Sequence, residues 1–180
     1  MELLLVTEKQ VKTILEKLKI SKSPGPDGLH PSFLKELAPQ LCKPLTLIFN
    51  NSLKLGKLPN EWKNGQITAI FKKGKKSCAG NYRPVSLTSV VAKCMEKLIR
   101  EHTINYFTQN NLFTNRQFGF LNGRSTSLQL LNVLDQWTKD LDEGRSVDCI
   151  YMDFQKCFDT VPHRRLIYKL KSYGINNQII

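Results

Sequence analysis

Between Trp62 and Met95 the chain contains no aspartate or glutamate, while Lys63, Lys72, Lys73, Lys75, Lys76, Arg83 and Lys93 all fall there. Sequence-local ion pairing therefore cannot neutralise this stretch, so its charge is open to an anionic partner. No apolar run approaches the ~20 residues of a membrane span, and the apolar start, Leu3 to Val6, is far shorter than a signal-peptide core. A membrane protein is not expected, and an intracellular location is. The cysteines, Cys42, Cys78, Cys94, Cys149 and Cys157, are odd in number, scattered, and never spaced as a C-x-x-C pair. Disulfide and zinc roles are thereby disfavoured, leaving reduced core or surface thiols. Neither a Walker-type glycine loop nor a dinucleotide fingerprint occurs, so any phosphate would be held by lysine and arginine side chains. Internal repeats and low-complexity linkers are absent as well.

What is present is an ordinary globular composition: 180 residues, 41% hydrophobic and 23% charged. That suffices for about one domain with a sizeable core and excludes intrinsic disorder. The net charge of +12, with a pI near 9.6, points to phosphate backbones or anionic lipid as partners.

Local patterns predict the elements. Thr7 with Gln10 three residues on forms a capping box, and Val11, Ile14, Leu15 and Leu18 recur at helical spacing, so a helix is expected over about Glu8 to Lys19. Ser23 to Gly28 reads as a rigid irregular loop in which prolines fix φ, glycines permit positive φ and Asp27 bonds the backbone ahead. Leu41, Leu45, Ile48 and Phe49 mark a second helix ended by Gly56 and Pro59. Gln66 to Phe71 alternates with period two and runs into a basic turn, Lys72 to Lys76. Core-facing helices are expected from about Thr88 to Phe107 and from about Thr126 to Leu141, the second presenting Leu130, Leu134, Trp137 and Leu141. Val147 to Asp153 alternates again and reads as a strand with Asp153 near its carboxyl end; a last helix begins near Pro162.

Two places carry candidate chemistry. The Lys72 to Lys76 run is either a solvated turn or a footprint for a polyanion, and the strand-turn context with Arg83 nearby favours the latter. Asp153, at the exit of an apolar strand, is either a strand terminus meeting solvent or a ligand for a hard cation such as Mg²⁺.

The run Tyr151-Met152-Asp153-Phe154-Gln155-Lys156-Cys157-Phe158-Asp159-Thr160-Val161-Pro162-His163 resembles motif A of the reverse transcriptases of non-LTR (LINE-type) retrotransposons. Ser23 to Pro31, Ile70 to Gly74, Gly80 to Thr88, and Gln117 to Phe120 with Gly123 to Thr126 resemble further blocks of the same family, in the same order. The resemblance implies an α+β, helix-rich, right-hand polymerase fold. Residues 1–60 would be an N-terminal helical extension with the SPGPDG loop, 61–125 the fingers, and 126–180 the N-terminal part of the palm including motif A.

The activity so implied is RNA-directed DNA polymerisation by two-metal nucleotidyl transfer, with Mg²⁺ as cofactor and RNA template, DNA primer and deoxynucleoside triphosphates as partners. Asp153 matches the first catalytic, metal-binding aspartate. Phe158 matches the aromatic steric gate against a ribose 2′-OH. Lys72, or Lys73 with a one-residue shift, and Arg83 match the residues that neutralise the incoming triphosphate. Lys75, Lys76 and Arg124 are the expected nucleic-acid contacts. Leu121, Gln155 and Cys157 depart from the family's usual Arg, Ser and Ala.

The family's motif C carboxylate pair has no counterpart, because no adjacent Asp-Asp occurs in the chain. The sequence is therefore expected to stop before the motif C hairpin, to leave Val147 to Asp153 as an unpaired apolar edge, and to be catalytically silent in isolation. The alternative function is a non-catalytic, retrotransposon-derived nucleic-acid-binding protein.

Overall fold

A computed structural model describes residues 1–154 and 160–180. They form two compact units, residues 1–106 with 170–180, and residues 107–169.

The first unit opens on an extended segment whose alternate residues Leu4 and Val6 are buried. Two side-chain amides satisfy its backbone. Asn50 accepts from the Val6 N–H at 2.9 Å and donates to the Val6 carbonyl at 2.8 Å, while Gln178 pairs with Leu4 at 3.1 and 3.4 Å. Helix α1, Glu8–Glu16, begins at the expected capping box, with the Thr7 N–H on Gln10 Oε1 at 2.9 Å and the Gln10 N–H on Thr7 Oγ1 at 3.4 Å. Its buried stripe, Val11, Ile14 and Leu15, lies on α3, Ala38–Leu55. Gly56 ends α3 in the left-handed conformation at φ 60°, where a Cβ would be penalised.

Between them a short helix α2, Pro31–Glu36, was not foreseen. Its signals are Pro31 at the first turn and His30 as cap, whose Nδ1 accepts from the Ser32 N–H at 3.2 Å. Helix α4, Val90–Gln109, adds Val91, Cys94, Met95 and Leu98 to the same core. Phe49 is fully buried at its centre and meets Trp62 edge-on at 5.8 Å between centroids.

The SPGPDG loop is held at both ends of its turn. Asp27 Oδ1 accepts from the Leu29 N–H at 3.2 Å, as its residue type predicts, and Gly28 takes φ 69°. Gly25 serves differently: a Cβ there would lie 2.5 Å from the Thr88 carbonyl oxygen and 2.7 Å from the Ser89 nitrogen. The loop thus sits directly on the backbone where the second strand, β2 (Tyr82–Thr88), passes into α4. Ser89, fully buried, caps that helix through its Oγ, which accepts from the Ala92 N–H at 3.3 Å.

Strand β1, Gly65–Phe71, and β2 form a two-stranded antiparallel hairpin with Ile70 opposite Arg83 and Phe71 opposite Tyr82. In the second unit, α5, Thr126–Asp142, is capped by Ser125, whose Oγ accepts from the Leu128 N–H at 3.2 Å. Helix α6, His163–Ser172, follows Pro162 as expected.

Two expectations fail there. Leu130, Leu134 and Leu141 are exposed, not core-facing, because no described residue of this unit is buried and the stripe meets no apolar layer. Nor is Val147 to Asp153 a strand: Ile150, Tyr151 and Met152 are more than four-fifths exposed, and no strand pairs with them among the described residues. A strand is defined by a ladder, and alternation in sequence cannot supply the partner.

Cys42, Cys78, Cys94 and Cys149 are free thiols, the first and third buried; Cys157 lies outside the described residues. Burial pushes the Cys94 thiol from 9.0 up to about 11, with Lys97 opposing the rise. The folded thiol thus holds its proton where the unfolded one has lost it. Its contribution to stability is complete below about pH 9 and disappears as pH rises through about 11. At pH 8, iodoacetamide is expected to modify Cys78 and Cys149 in the native chain well before Cys94. Mass mapping showing equal rates would contradict this burial.

Candidate functional site

The hairpin's basic turn is built by a few specific contacts. Lys72 continues the ladder, its N–H bonding the Asn81 carbonyl at 2.8 Å. The Asn81 side chain donates to the Lys75 carbonyl at 2.8 Å, and the Tyr82 hydroxyl donates to the Lys76 carbonyl at 2.9 Å. Gly74, at φ 91°, leaves no room for a Cβ, which would lie 2.6 Å from Asn81 Nδ2. Phe71 and Tyr82 meet edge-on at 5.5 Å, and Lys76 Nζ lies 5.9 Å from the Phe71 centroid. The turn is therefore shaped by Asn81, Gly74 and Tyr82. Sequence reasoning assigned none of these a role, although an asparagine directly before a strand was a usable signal.

Side-chain alternation sorts the charges. Ile70 and Arg83 are directly opposed, so they share one face; Lys72, two residues from Ile70 along the continued ladder, shares it too. Lys76, above Phe71, belongs to the opposite face. Lys72 and Arg83 thus fall on the same face of the hairpin, and Lys73 sits in the turn beyond. All of Lys72, Lys73, Lys75, Lys76 and Arg83 are exposed, and none is in an ion pair among the described residues. This is an uncompensated cationic surface.

In the second unit Arg124 is engaged by its own loop. Its Nη1 donates to the carbonyls of Thr114 at 3.2 Å, Asn115 at 3.0 Å and Gln117, and its guanidinium lies 5.6 Å from the Phe118 centroid. Phe120, at φ 66°, is 82% exposed in the same loop, a conformation that is strained for a bulky side chain. Arg145 beyond α5 pairs with Asp140 and Glu143, which hold its guanidinium more firmly protonated.

Asp153 is exposed on the unpaired segment. Phe158, with Gln155, Cys157 and Asp159, lies outside the described residues. Among the described residues no three His, Cys, Asp or Glu side chains come together to hold a metal ion. A single exposed carboxylate does not fit a two-cation site, which needs several convergent oxygen ligands. No described helix is long and apolar enough to cross a membrane.

The family described as "Reverse transcriptase (RNA-dependent DNA polymerase)" matches residues 70–180. The chain is 34% identical over 167 residues to the "RNA-directed DNA polymerase from mobile element jockey" of Drosophila melanogaster, covering 92% of this chain and 18% of that protein. It is 33% identical over 168 residues to the jockey protein of Drosophila funebris, with 93% and 18% covered. It is also 33% identical over 166 residues to the Drosophila melanogaster "Probable RNA-directed DNA polymerase from transposon BS", with 90% and 18% covered. The chain thus spans less than a fifth of the length of these relatives.

Proposed function

Because this chain belongs to the reverse transcriptase (RNA-dependent DNA polymerase) family, we propose that it supplies the fingers and the first palm segment of a retrotransposon RNA-directed DNA polymerase. In this reading residues 61–125 are fingers, and 126–180 begin the palm. The observation that carries it is the hairpin face shared by Lys72 and Arg83, neither of which has a carboxylate partner among the described residues. A lysine point charge beside an arginine fork suits a triphosphate, whose charge is spread over several oxygens. Lys73, Lys75 and Lys76 extend the field toward a template backbone. Arg124, tied to three carbonyls, contributes by shaping the 114–124 loop and presenting positive charge there. Phe158 is the proposed steric gate.

The family's chemistry is metal-dependent, and Asp153 would be this chain's ligand toward Mg²⁺. The remaining carboxylates are not found among the described residues, so no reaction step is assigned to the chain itself. The hairpin lysines, which lie in no ion pair among the described residues, also support a second reading, nucleic-acid binding without catalysis. Mixing the 180-residue chain with an RNA template, a DNA primer, Mg²⁺ and deoxynucleoside triphosphates is expected to give binding that weakens linearly in log affinity against log salt, and no primer extension. Extension abolished by Asp153→Asn would refute the silence, and salt-independent binding would refute the nucleic-acid reading.

A further inference from the structure

We propose that a basic cleft in the first unit, between the end of α1, the Ser21 to Ser23 turn and the start of α4, binds a nucleotide phosphate of an RNA strand that continues along the Arg83 face of the hairpin. The proposal rests on the nucleic-acid reading above. The cleft has a volume of about 480 Å³, and Lys19, Lys22 and Lys93 stand on its walls with the hydroxyl-bearing Ser21 and Ser23. No carboxylate lines it, and none of these lysines is in an ion pair among the described residues.

A second cleft, beside α1 and α4, shows that lysines alone do not make such a site on this surface. That one also holds Lys9, Lys17 and Lys97, but includes Glu101, which pairs with Lys97 at 4.0 Å. Only the first is purely cationic, and it is floored by apolar side chains, Leu18, Pro31, Leu87 and Val90. Three ammonium groups and two hydroxyls over an apolar floor match a phosphate with its attached sugar or base. An inorganic anion would leave the floor unused.

The hairpin decides between a free nucleotide and a strand. Leu87 lines the cleft, and it lies four residues from Arg83 along β2, so alternation places Arg83, Val85 and Leu87 on one face together with Lys72. Four residues of strand span about 13 Å. Positive charge thus stands at both ends of one strand face, with half-exposed Val85 between them. That arrangement suits an extended polyanion, with phosphates at the ends and bases or sugars over the apolar middle. The Gly25 contact fixes the geometry by seating the loop next to the cleft on the β2 to α4 junction.

The test uses the full chain and fluorescein-labelled oligouridylate of twelve nucleotides, followed by anisotropy across a salt series. The triple variant Lys19→Gln, Lys22→Gln and Lys93→Gln changes only exposed side chains that are in no ion pair among the described residues. It is expected to bind about fourfold more weakly near physiological salt, with a log–log salt slope shallower by roughly 0.7, the value for the one single-strand phosphate held in the cleft. In the wild-type chain, the RNA should slow acetylation of Lys19, Lys22 and Lys93, while inorganic phosphate or a deoxynucleoside triphosphate at the same phosphate concentration should not.

Unchanged affinity and slope in the triple variant, with these lysines reacting as in the free chain, would overturn the site. Equal protection by free phosphate would overturn the strand assignment. If wild type binds no RNA at all, the broader nucleic-acid reading fails. If it binds but only hairpin substitutions weaken it, the cleft alone is refuted.

Discussion

Replacing Lys72, Lys73, Lys75 and Lys76 together by glutamine is expected to weaken binding of an RNA template–DNA primer duplex by about two to three orders of magnitude near physiological salt. The estimate takes each lysine as one phosphate contact, worth roughly 0.9 in the log–log salt slope, so the slope should flatten by about three to four. The fold should survive. All four side chains are exposed and lie in no described ion pair, and only Lys76 has a further contact, above the Phe71 ring. That contact is worth about 0.5–1 kcal/mol at an exposed site. The turn itself depends on the Asn81 amide, the Tyr82 hydroxyl and backbone carbonyls, none of which the substitutions touch. A titration in which the variant retains the wild-type slope would show that the lysines face only solvent.

Gly25→Ala is expected to destabilise the first unit by roughly 1–3 kcal/mol, the usual cost of forcing a carbon into a closed contact. The atoms in its way are Thr88 O, Thr88 C and Ser89 N, at 2.5, 2.6 and 2.7 Å from the added Cβ. They are backbone, held by the β2 ladder on one side and the Ser89 cap of α4 on the other, so the loop must move instead. Gly28→Asn is the informative control. Gly28 has nothing within 4 Å of its added Cβ, and its φ of 69° is one that asparagine adopts more readily than other side chains, so this variant should cost less than Gly25→Ala. Thermal unfolding that ranks Gly28→Asn below Gly25→Ala would disprove the docking of the loop. Displacing the loop should also weaken the Lys19–Lys22–Lys93 cleft, which borders it.

Much of the first unit was legible beforehand because its signals are local. A capping box needs only residues three apart, and Thr7 with Gln10 located the start of α1. Helical spacing picked out Val11, Ile14, Leu15, Phe49, Cys94 and Leu98, all of which are buried. Alternation over Gln66 to Phe71 found β1, and the lack of acids nearby made its basic turn the candidate polyanion surface. The same reasoning placed the α5 helix at Thr126–Asp142 but misread its stripe as core-facing, and it misread Val147 to Asp153 as a strand. Both patterns are genuine, but a stripe or an alternating run states only which face is apolar, and burial requires a second layer.

The sequence by itself thus determined the start of α1, the long helices, the first strand, the cationic segment and the family resemblance, since each is written in residues close together along the chain. Only the tertiary structure decided which lysines act together. The ladder register put Lys72 on the Arg83 face and Lys76 on the other, and the docking of Gly25 on Thr88 and Ser89 seated the SPGPDG loop beside a cleft that gathers Lys19, Lys22 and Lys93. Gly25 shows the reason most directly. Read locally, it was a turn glycine valued for positive φ, whereas its actual constraint is the approach of a backbone more than sixty residues away. Such contacts depend on packing between distant segments, which no local pattern encodes.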